Sequence, residues 1–187
     1  MIGTQRSKRS PLYGMVTAAA LSLLLVGPAL ATDATTATVT GGSLAITNPA
    51  ADDFTPMSVT GAVKVTFALV AGFSVSDLTG SGAGWHVTAQ ATQFDGANHD
   101  LAAGSLVMSA PTVAASGPPF GTTSPVPTVV VGPYTIDNGA VSISSAAKST
   151  GMGKYDFSQS LLVLFLPDNV YADTYTSIVT FSAVTAP

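Results

Sequence analysis

The sequence predicts an all-β protein, an immunoglobulin-like β-sandwich of about eight to ten short strands. Apolar and polar residues alternate with a period of two in several segments, which is the spacing of half-buried strands, and no segment after residue 31 has the period of a helix. All ten acidic residues are aspartates, and aspartate favours turns where glutamate favours helices. The 18 glycines and 12 prolines supply the frequent turns that short strands require.

Residues 1–31 have the features of a secretory signal peptide. A basic segment at residues 6–9 precedes an apolar run at residues 15–26, and Ala31 ends a small-x-small sequence typical of a cleavage site. The run is too short to cross a bilayer as a helix, and a retained membrane anchor is the alternative interpretation. We therefore predict cleavage after Ala31, which leaves residues 32–187 as one secreted β-sandwich domain without a membrane span.

The predicted secreted domain is acidic. It holds three lysines and ten aspartates, a net charge of −7. Nucleic acid is excluded as a partner, because no basic stripe is present to neutralise phosphates. Cysteine is absent, which excludes a thiol nucleophile, a thiolate metal site and a lipidated cysteine. The length suffices for one hydrophobic core and is too small for a second.

In the N-terminal half, strands are predicted where apolar residues alternate between glycine or asparagine turns. They lie at residues 36–47 (two short halves around a glycine pair), 59–70 with a continuation through 73–75, 85–92, and 106–108. Residues 109–133 contain six of the 12 prolines. Because each proline removes a ladder donor, we predict that this stretch is an extended surface loop.

In the C-terminal half, strands are predicted at residues 134–136, 141–144, 161–166 and 175–184, with a glycine turn at residues 151–153. Segment 161–166 is apolar at every position. A continuous apolar run of this length is typical of a strand buried on both faces, which is the arrangement we expect here.

A glycine-rich motif at residues 77–94 contains the only tryptophan of the chain. Glycines allow the positive φ that a tight turn into a strand needs. The strand that follows alternates strictly, with the tryptophan and every second residue after it apolar. The motif residues are Asp77, Gly80, Gly82, Gly84, Trp85 and Val87.

Trp85 has two interpretations. The first is a core residue packed between two sheets, which its alternation with apolar neighbours supports. The second is an exposed ring that stacks on a sugar. Three tyrosines are further candidates for a glycan-binding surface, although each is also typical of a half-buried strand: Tyr155, Tyr171 and Tyr175.

Residues that carry catalysis or bind metals are scarce. His86 and His99 are the only imidazoles, and without cysteine they make a transition-metal site improbable. No G-x-S-x-G sequence marks a serine nucleophile, and the adjacent Asp52 and Asp53 are typical of a solvated turn. We expect no catalytic residues, no cofactor and no metal.

The motif at residues 77–94 resembles the WxL domain of Gram-positive bacterial cell-surface proteins, in which an aspartate, a glycine-rich turn and a tryptophan open such a strand. Three further segments extend the resemblance over most of the domain: SAAKSTGMGKYDFS at 145–158, LVLFLP at 162–167, and the closing stretch at 171–187. The first W-x-L of the family reads Trp-His-Val here. The second is replaced by Phe-Ser-Ala, beginning at Phe181.

The resemblance implies a secreted, non-enzymatic domain that attaches non-covalently to peptidoglycan at the cell wall or cell surface. If the tryptophans themselves bind wall polymer, the Phe181 replacement removes half of that function. The LPDN sequence at 166–169 is not the L-P-x-T-G signal of covalent attachment. The alternative is a structural or adhesive surface subunit that acts through contacts with other surface proteins.

Overall fold

A computed structural model describes residues 36–59, 64–116 and 125–186. The predicted signal peptide, its cleavage at Ala31 and parts of the predicted strand 59–70 and loop 109–133 lie outside these residues. The described residues form twelve strands and no helix, so among them no helical span of a membrane occurs. The strands are β1 (Leu44–Ile46), β2 (Val65–Val70), β3 (Phe73–Asp77), β4 (Trp85–Ala91), β5 (Leu106–Met108), β6 (Val113–Ala115), β7 (Thr128–Val129), β8 (Tyr134–Thr135), β9 (Val141–Ala146), β10 (Gly153–Phe157), β11 (Ser160–Phe165) and β12 (Val179–Thr185).

The strands form three antiparallel sheets of four strands each. Their orders are β1-β3-β10-β6, β2-β11-β5-β8 and β12-β4-β9-β7. The inward side chains of all three sheets belong to one hydrophobic cluster, which includes Val75, Val87 and Leu106, each fully buried. The predicted all-β class is confirmed, and three sheets around one core are consistent with the predicted β-sandwich.

The β4 strand is the best-predicted element of the fold. It spans Trp85–Ala91, and its residues alternate between buried and more exposed positions as expected. It pairs with β12 on one side and β9 on the other. Its central place explains why the alternation in the sequence is so regular, since one face of β4 contributes only to the core.

Three strands were not predicted. The β6 and β7 strands lie inside the predicted proline-rich loop, and each is at the edge of its sheet, where a neighbouring proline costs no ladder bond. Residues 117–124 between them lie outside the described residues, so the loop as a whole stays a prediction. The β10 strand follows the glycine turn and pairs with β3 and β6.

Two predicted strands are markedly shorter in the structure. Only residues 44–46 of the segment 36–47 form a strand. The last strand begins at Val179, and residue Thr176 before it makes only an isolated bridge to Asp95. Residues 73–77 do not continue β2 but form β3 in another sheet. At this break, a Cβ on Gly72 would lie 2.7 Å from the carbonyl oxygen of Phe157.

The prediction that segment 161–166 is buried on both faces was wrong. Leu161 is 39% exposed and Phe165 is 48% exposed, while Leu162 and Leu164 between them point into the core. Across the ladder, Leu161 pairs with Leu69, whose side chain is also exposed. The continuous apolar run therefore reflects an apolar outer face of this sheet. This outer face consists of Val65, Phe67, Leu69, Val107, Leu161, Val163 and Phe165.

A buried carboxylate ties the turn after β8 to the start of β5. Asp137 is 5% exposed. Its Oδ2 accepts the backbone N–H groups of Ser105 at 2.9 Å and Leu106 at 3.0 Å. Its Oδ1 is buried without a hydrogen-bond partner among the described protein atoms. Two charge-assisted bonds to backbone amides hold β8 against β5.

Candidate functional site

The glycine-rich turn begins at an aspartate whose side chain accepts hydrogen bonds from Thr79, two residues further along. Asp77 ends β3 and is 4% exposed. Its Oδ1 accepts hydrogen bonds from the backbone N–H of Thr79 at 3.1 Å and from the Thr79 hydroxyl at 2.7 Å. An aspartate that bonds to the backbone two residues on is a standard way to start a turn. Asp77 therefore has a structural role, because its carboxylate stabilises the backbone of the turn.

The three glycines of the turn adopt the left-handed conformation. The φ angles of Gly80, Gly82 and Gly84 are 67°, 62° and 82°, values that glycine reaches without strain. Of the three, only Gly84 also lacks room for a side chain, since a Cβ there would lie 2.5 Å from the carbonyl oxygen of Ala146. The turn thus delivers the next residue into the core beside the end of β9.

Trp85 is fully buried at the start of β4. Its indole Nε1–H donates to the carbonyl oxygen of Gly151 at 2.8 Å, and its ring lies 6.0 Å from that of Tyr155. Gly151 has φ of 73°, and a Cβ there would overlap the Cβ of Ala146 and lie 2.9 Å from the indole nitrogen. The second glycine turn therefore closes directly over the indole ring.

The other two motif positions are also in the core. Val87 is fully buried on the same face of β4 as Trp85, and Phe181 of β12 is 6% exposed. Phe181 pairs with Ala89 across the ladder, and its ring lies 5.2 Å from that of Phe73. A phenylalanine thus fills the core at the position where the resemblance led us to expect a second tryptophan. None of these side chains presents a face to the surface.

A cleft of about 500 Å³ lies among the described residues, and we call it the aromatic cleft. It lies between segment 54–59, which precedes β2, and loop 170–175, which follows β11. Its aromatic lining residues are Phe54, Phe94, Tyr171 and Tyr175, and its charged ones are Lys64 and Asp173.

The predicted tyrosines divide between core and surface. Tyr155 is fully buried beside Trp85, so the suggestion that it lines a glycan surface was wrong. Tyr171 is 57% exposed, and Tyr175 is half-buried at the same cleft. Sequence reasoning missed Phe54 and Phe94, whose rings meet edge to face at 5.9 Å. Each phenylalanine lies outside the strands in a turn-rich segment, where no alternation of apolar and polar residues indicates which side chains are in contact.

Acidic residues gather in the loop beside the aromatic cleft. The pKa of Asp95 is raised by a hydrogen bond to the side chain of Asp100, and further by repulsion from that carboxylate. Asp173 Oδ2 accepts the backbone N–H of Asn98 at 3.2 Å. Within the described ranges, no three His, Cys, Asp or Glu residues are placed to hold a metal ion.

Comparison with known proteins agrees with this architecture. The family described as WxL domain, surface cell wall-binding, matches residues 63–177, which is more than half of the chain. The match includes the turn from Asp77 to Trp85 and ends before Phe181. No curated protein and no solved structure matches the chain. Because the match covers the strands from β2 to β11 and the motif that places Trp85 in the core, the chain belongs to the WxL family of cell wall-binding surface domains.

Proposed function

We propose that the chain is secreted, is cleaved after Ala31, and stays on the cell wall as a non-enzymatic domain that binds peptidoglycan non-covalently. The observation that carries the proposal is the family match over residues 63–177, since that family is described as wall-binding. The absence of a cysteine from the whole sequence and its content of only two histidines support a binding role over catalysis.

The family motif serves, in this proposal, to build the domain. The zero exposure of Trp85 and Val87 and the 6% exposure of Phe181 support that role. A buried indole whose N–H is already bonded to the backbone has no free group to offer a polymer. Wall contacts would therefore come from exposed residues elsewhere.

Those contacts would be short-ranged. The domain after Ala31 has a net charge of −7, and anionic wall polymers would repel it at long range. Hydrogen bonds and ring stacking act only at contact, so they can hold the protein once it has approached. This is the opposite of a basic wall-binding module, which is drawn to the wall by charge.

Co-sedimentation tests the proposal. The purified secreted protein is mixed with peptidoglycan that has been stripped of proteins and of anionic polymers, and the pellet is compared with a pellet formed without peptidoglycan. We expect the protein in the peptidoglycan pellet alone. Protein that stays in the supernatant at every peptidoglycan concentration would refute direct wall binding.

A second candidate function is a surface subunit that assembles with other proteins. The apolar outer face favours it, because Phe67 is 52% exposed and Phe165 is 48% exposed on one sheet, and exposed apolar patches often mark protein contacts. Phe67→Ser should then abolish association seen by light scattering in the absence of wall. A protein that stays monomeric at high concentration, with and without other surface proteins, would refute this alternative.

A further inference from the structure

We propose that the aromatic cleft is the site that binds the wall, and that its ligand is a neutral, amide-bearing sugar unit of the glycan strand. The proposal rests on the proposed wall association and goes further by naming the site and the chemical class.

The rings give the cleft faces for a sugar. Tyr171 is stacked on the imidazole of His99, with ring centroids 3.7 Å apart and planes 12° apart, yet its side chain is 57% exposed. Phe54, which is half-buried, lines the same space, and Phe94, which is 4% exposed, packs against the Phe54 ring at 5.9 Å. The face of an aromatic ring is electron-rich, so it attracts the weakly positive C–H groups on the flat side of a pyranose.

The polar groups of the lining come as both donors and acceptors. Lys64 Nζ donates to the carbonyl oxygen of Asp168 at 2.7 Å, and an ammonium group carries three hydrogens in all. Asp173 Oδ1 accepts the backbone N–H of Thr174 at 2.8 Å, and each carboxylate oxygen has a second lone pair. Hydroxyl and N-acetyl groups can use both kinds of partner.

The charges of the lining favour a neutral ligand. One lysine and one aspartate line the cleft, so its own charge sums to zero. The domain around it is acidic, and two further carboxylates, Asp95 and Asp100, interact closely in the neighbouring loop. A phosphate-bearing polymer would be repelled by these groups, whereas an uncharged N-acetylated sugar would not.

Loop 170–175, which forms one wall of the cleft, is held against residues 95–99 by backbone hydrogen bonds and close packing. Asp95 and Thr176 exchange two backbone hydrogen bonds of 2.9 Å, and the Tyr175 hydroxyl donates to the carbonyl oxygen of Tyr171 at 3.0 Å. A Cβ on Gly96 would overlap the carbonyl oxygen of His99 and lie 2.9 Å from the Tyr175 ring. Such close contact between two loops limits the ordering entropy lost on binding.

The size of the cleft suits a short stretch of a polymer. Its volume of about 500 Å³ lies within the range of roughly 300–1,000 Å³ that is usual for small-molecule sites. Because Tyr171 is 57% exposed, a chain stacked on its ring can continue into solvent on that side.

The test is a calorimetric titration with the tetramer of β-1,4-linked N-acetylglucosamine as the probe, using the purified secreted protein. We expect binding by the wild type and a loss of about tenfold or more for Tyr171→Ala, as is usual for an aromatic residue at the centre of a contact. Leu78→Ala is the matched control, because Leu78 is an apolar residue of similar exposure that does not line the cleft, 49% against 57%. It should bind the tetramer like the wild type.

The same variants in the peptidoglycan co-sedimentation separate the two proposals. If the wild type and the Tyr171→Ala variant sediment equally well with peptidoglycan, the cleft is not the binding site, and wall binding itself still stands. A wild type that does not bind the tetramer, or a tetramer that fails to compete for peptidoglycan, would overturn the glycan assignment. Loss of sedimentation in Tyr171→Ala alone, with competition by the tetramer, supports the proposal.

Discussion

Replacement of Trp85 by alanine tests whether the motif tryptophan builds the domain. The side chain has no exposed surface, packs against Tyr155 and bonds to the Gly151 carbonyl. Truncation of a buried aromatic residue costs roughly 3–5 kcal/mol. Loss of the hydrogen bond from the indole to the Gly151 carbonyl adds about 1 kcal/mol. The sum is a large part of a typical stability of roughly 5–15 kcal/mol.

The assay is thermal unfolding followed by circular dichroism. For a domain of this size, each kcal/mol shifts Tm by roughly 2–4 °C, so Trp85→Ala should lower Tm by at least 6 °C by the same scaling. Trp85→Phe keeps an aromatic ring and loses only the indole N–H, and it should fall between the alanine variant and the wild type.

Phe67→Ala controls for loss of an aromatic residue as such. Its side chain is 52% exposed, so its Tm should change by much less than that of Trp85→Ala. A Trp85→Ala protein with unchanged Tm and lost wall binding would refute the reasoning, because the tryptophan would then be a ligand contact.

Three further predictions concern stability. Gly151→Ala should lower Tm more than Gly80→Ala, since both have positive φ but only Gly151 lacks room for a Cβ; equal shifts in a melting scan would contradict this. Asp137→Ala should cost about 2–5 kcal/mol in urea unfolding, because two buried backbone N–H groups lose their acceptor, whereas Asp137→Asn keeps an acceptor oxygen and should lose less. The pKa of Asp95 is raised in the folded state, so the folded protein binds the Asp95 proton more tightly than the unfolded chain does. Above that pKa the ionised Asp95 is repelled by Asp100, which lowers the stability of the fold. As pH falls through the pKa, Asp95 is protonated and this destabilisation disappears. Asp95→Asn should therefore be more stable than the wild type at pH 7, and urea midpoints that do not converge as pH is lowered to 3 would contradict the assignment.

The Trp85 strand could be predicted from sequence because its environment is one-sided. One face of β4 contacts only the core, so every second residue of the strand is apolar and the alternation can be seen in the sequence. The glycines before it were equally clear, because positive φ strongly favours glycine. Family resemblance then connected these residues to the wall-binding class.

The errors have a common physical origin. The apolar run of β11 predicted burial on both faces, yet hydropathy cannot tell a covered sheet face from one that is exposed. The β10 strand was missed although residues 154–157 alternate polar and apolar, because they were grouped with the glycine turn that precedes them. Tyr155, at its centre, therefore stayed a candidate for either a glycan surface or a half-buried strand, whereas it packs in the core against Trp85.

The aromatic cleft could not have been predicted from the sequence. Its rings come from Phe54, Phe94 and loop 170–175, which are distant along the chain and lie outside regular strands. Only the folded arrangement of the sheets brings them together. Tyr171 and Tyr175 were candidates by residue type, and nothing in the sequence indicated that His99 stacks on the first of them.

A salt series of co-sedimentation with purified cell walls that keep their anionic polymers tests the central claim most directly, namely that this acidic domain holds the wall by short-range contacts. Raising sodium chloride from 0.1 M to 1 M shortens the Debye length from about 10 Å to about 3 Å, which removes long-range repulsion and leaves stacking and hydrogen bonds in place. With or without a chelator of divalent cations, the bound fraction should stay constant or rise. Elution by 0.3 M sodium chloride in the absence of chelator would contradict the account, and elution by chelator alone would show that a bridging cation holds the protein.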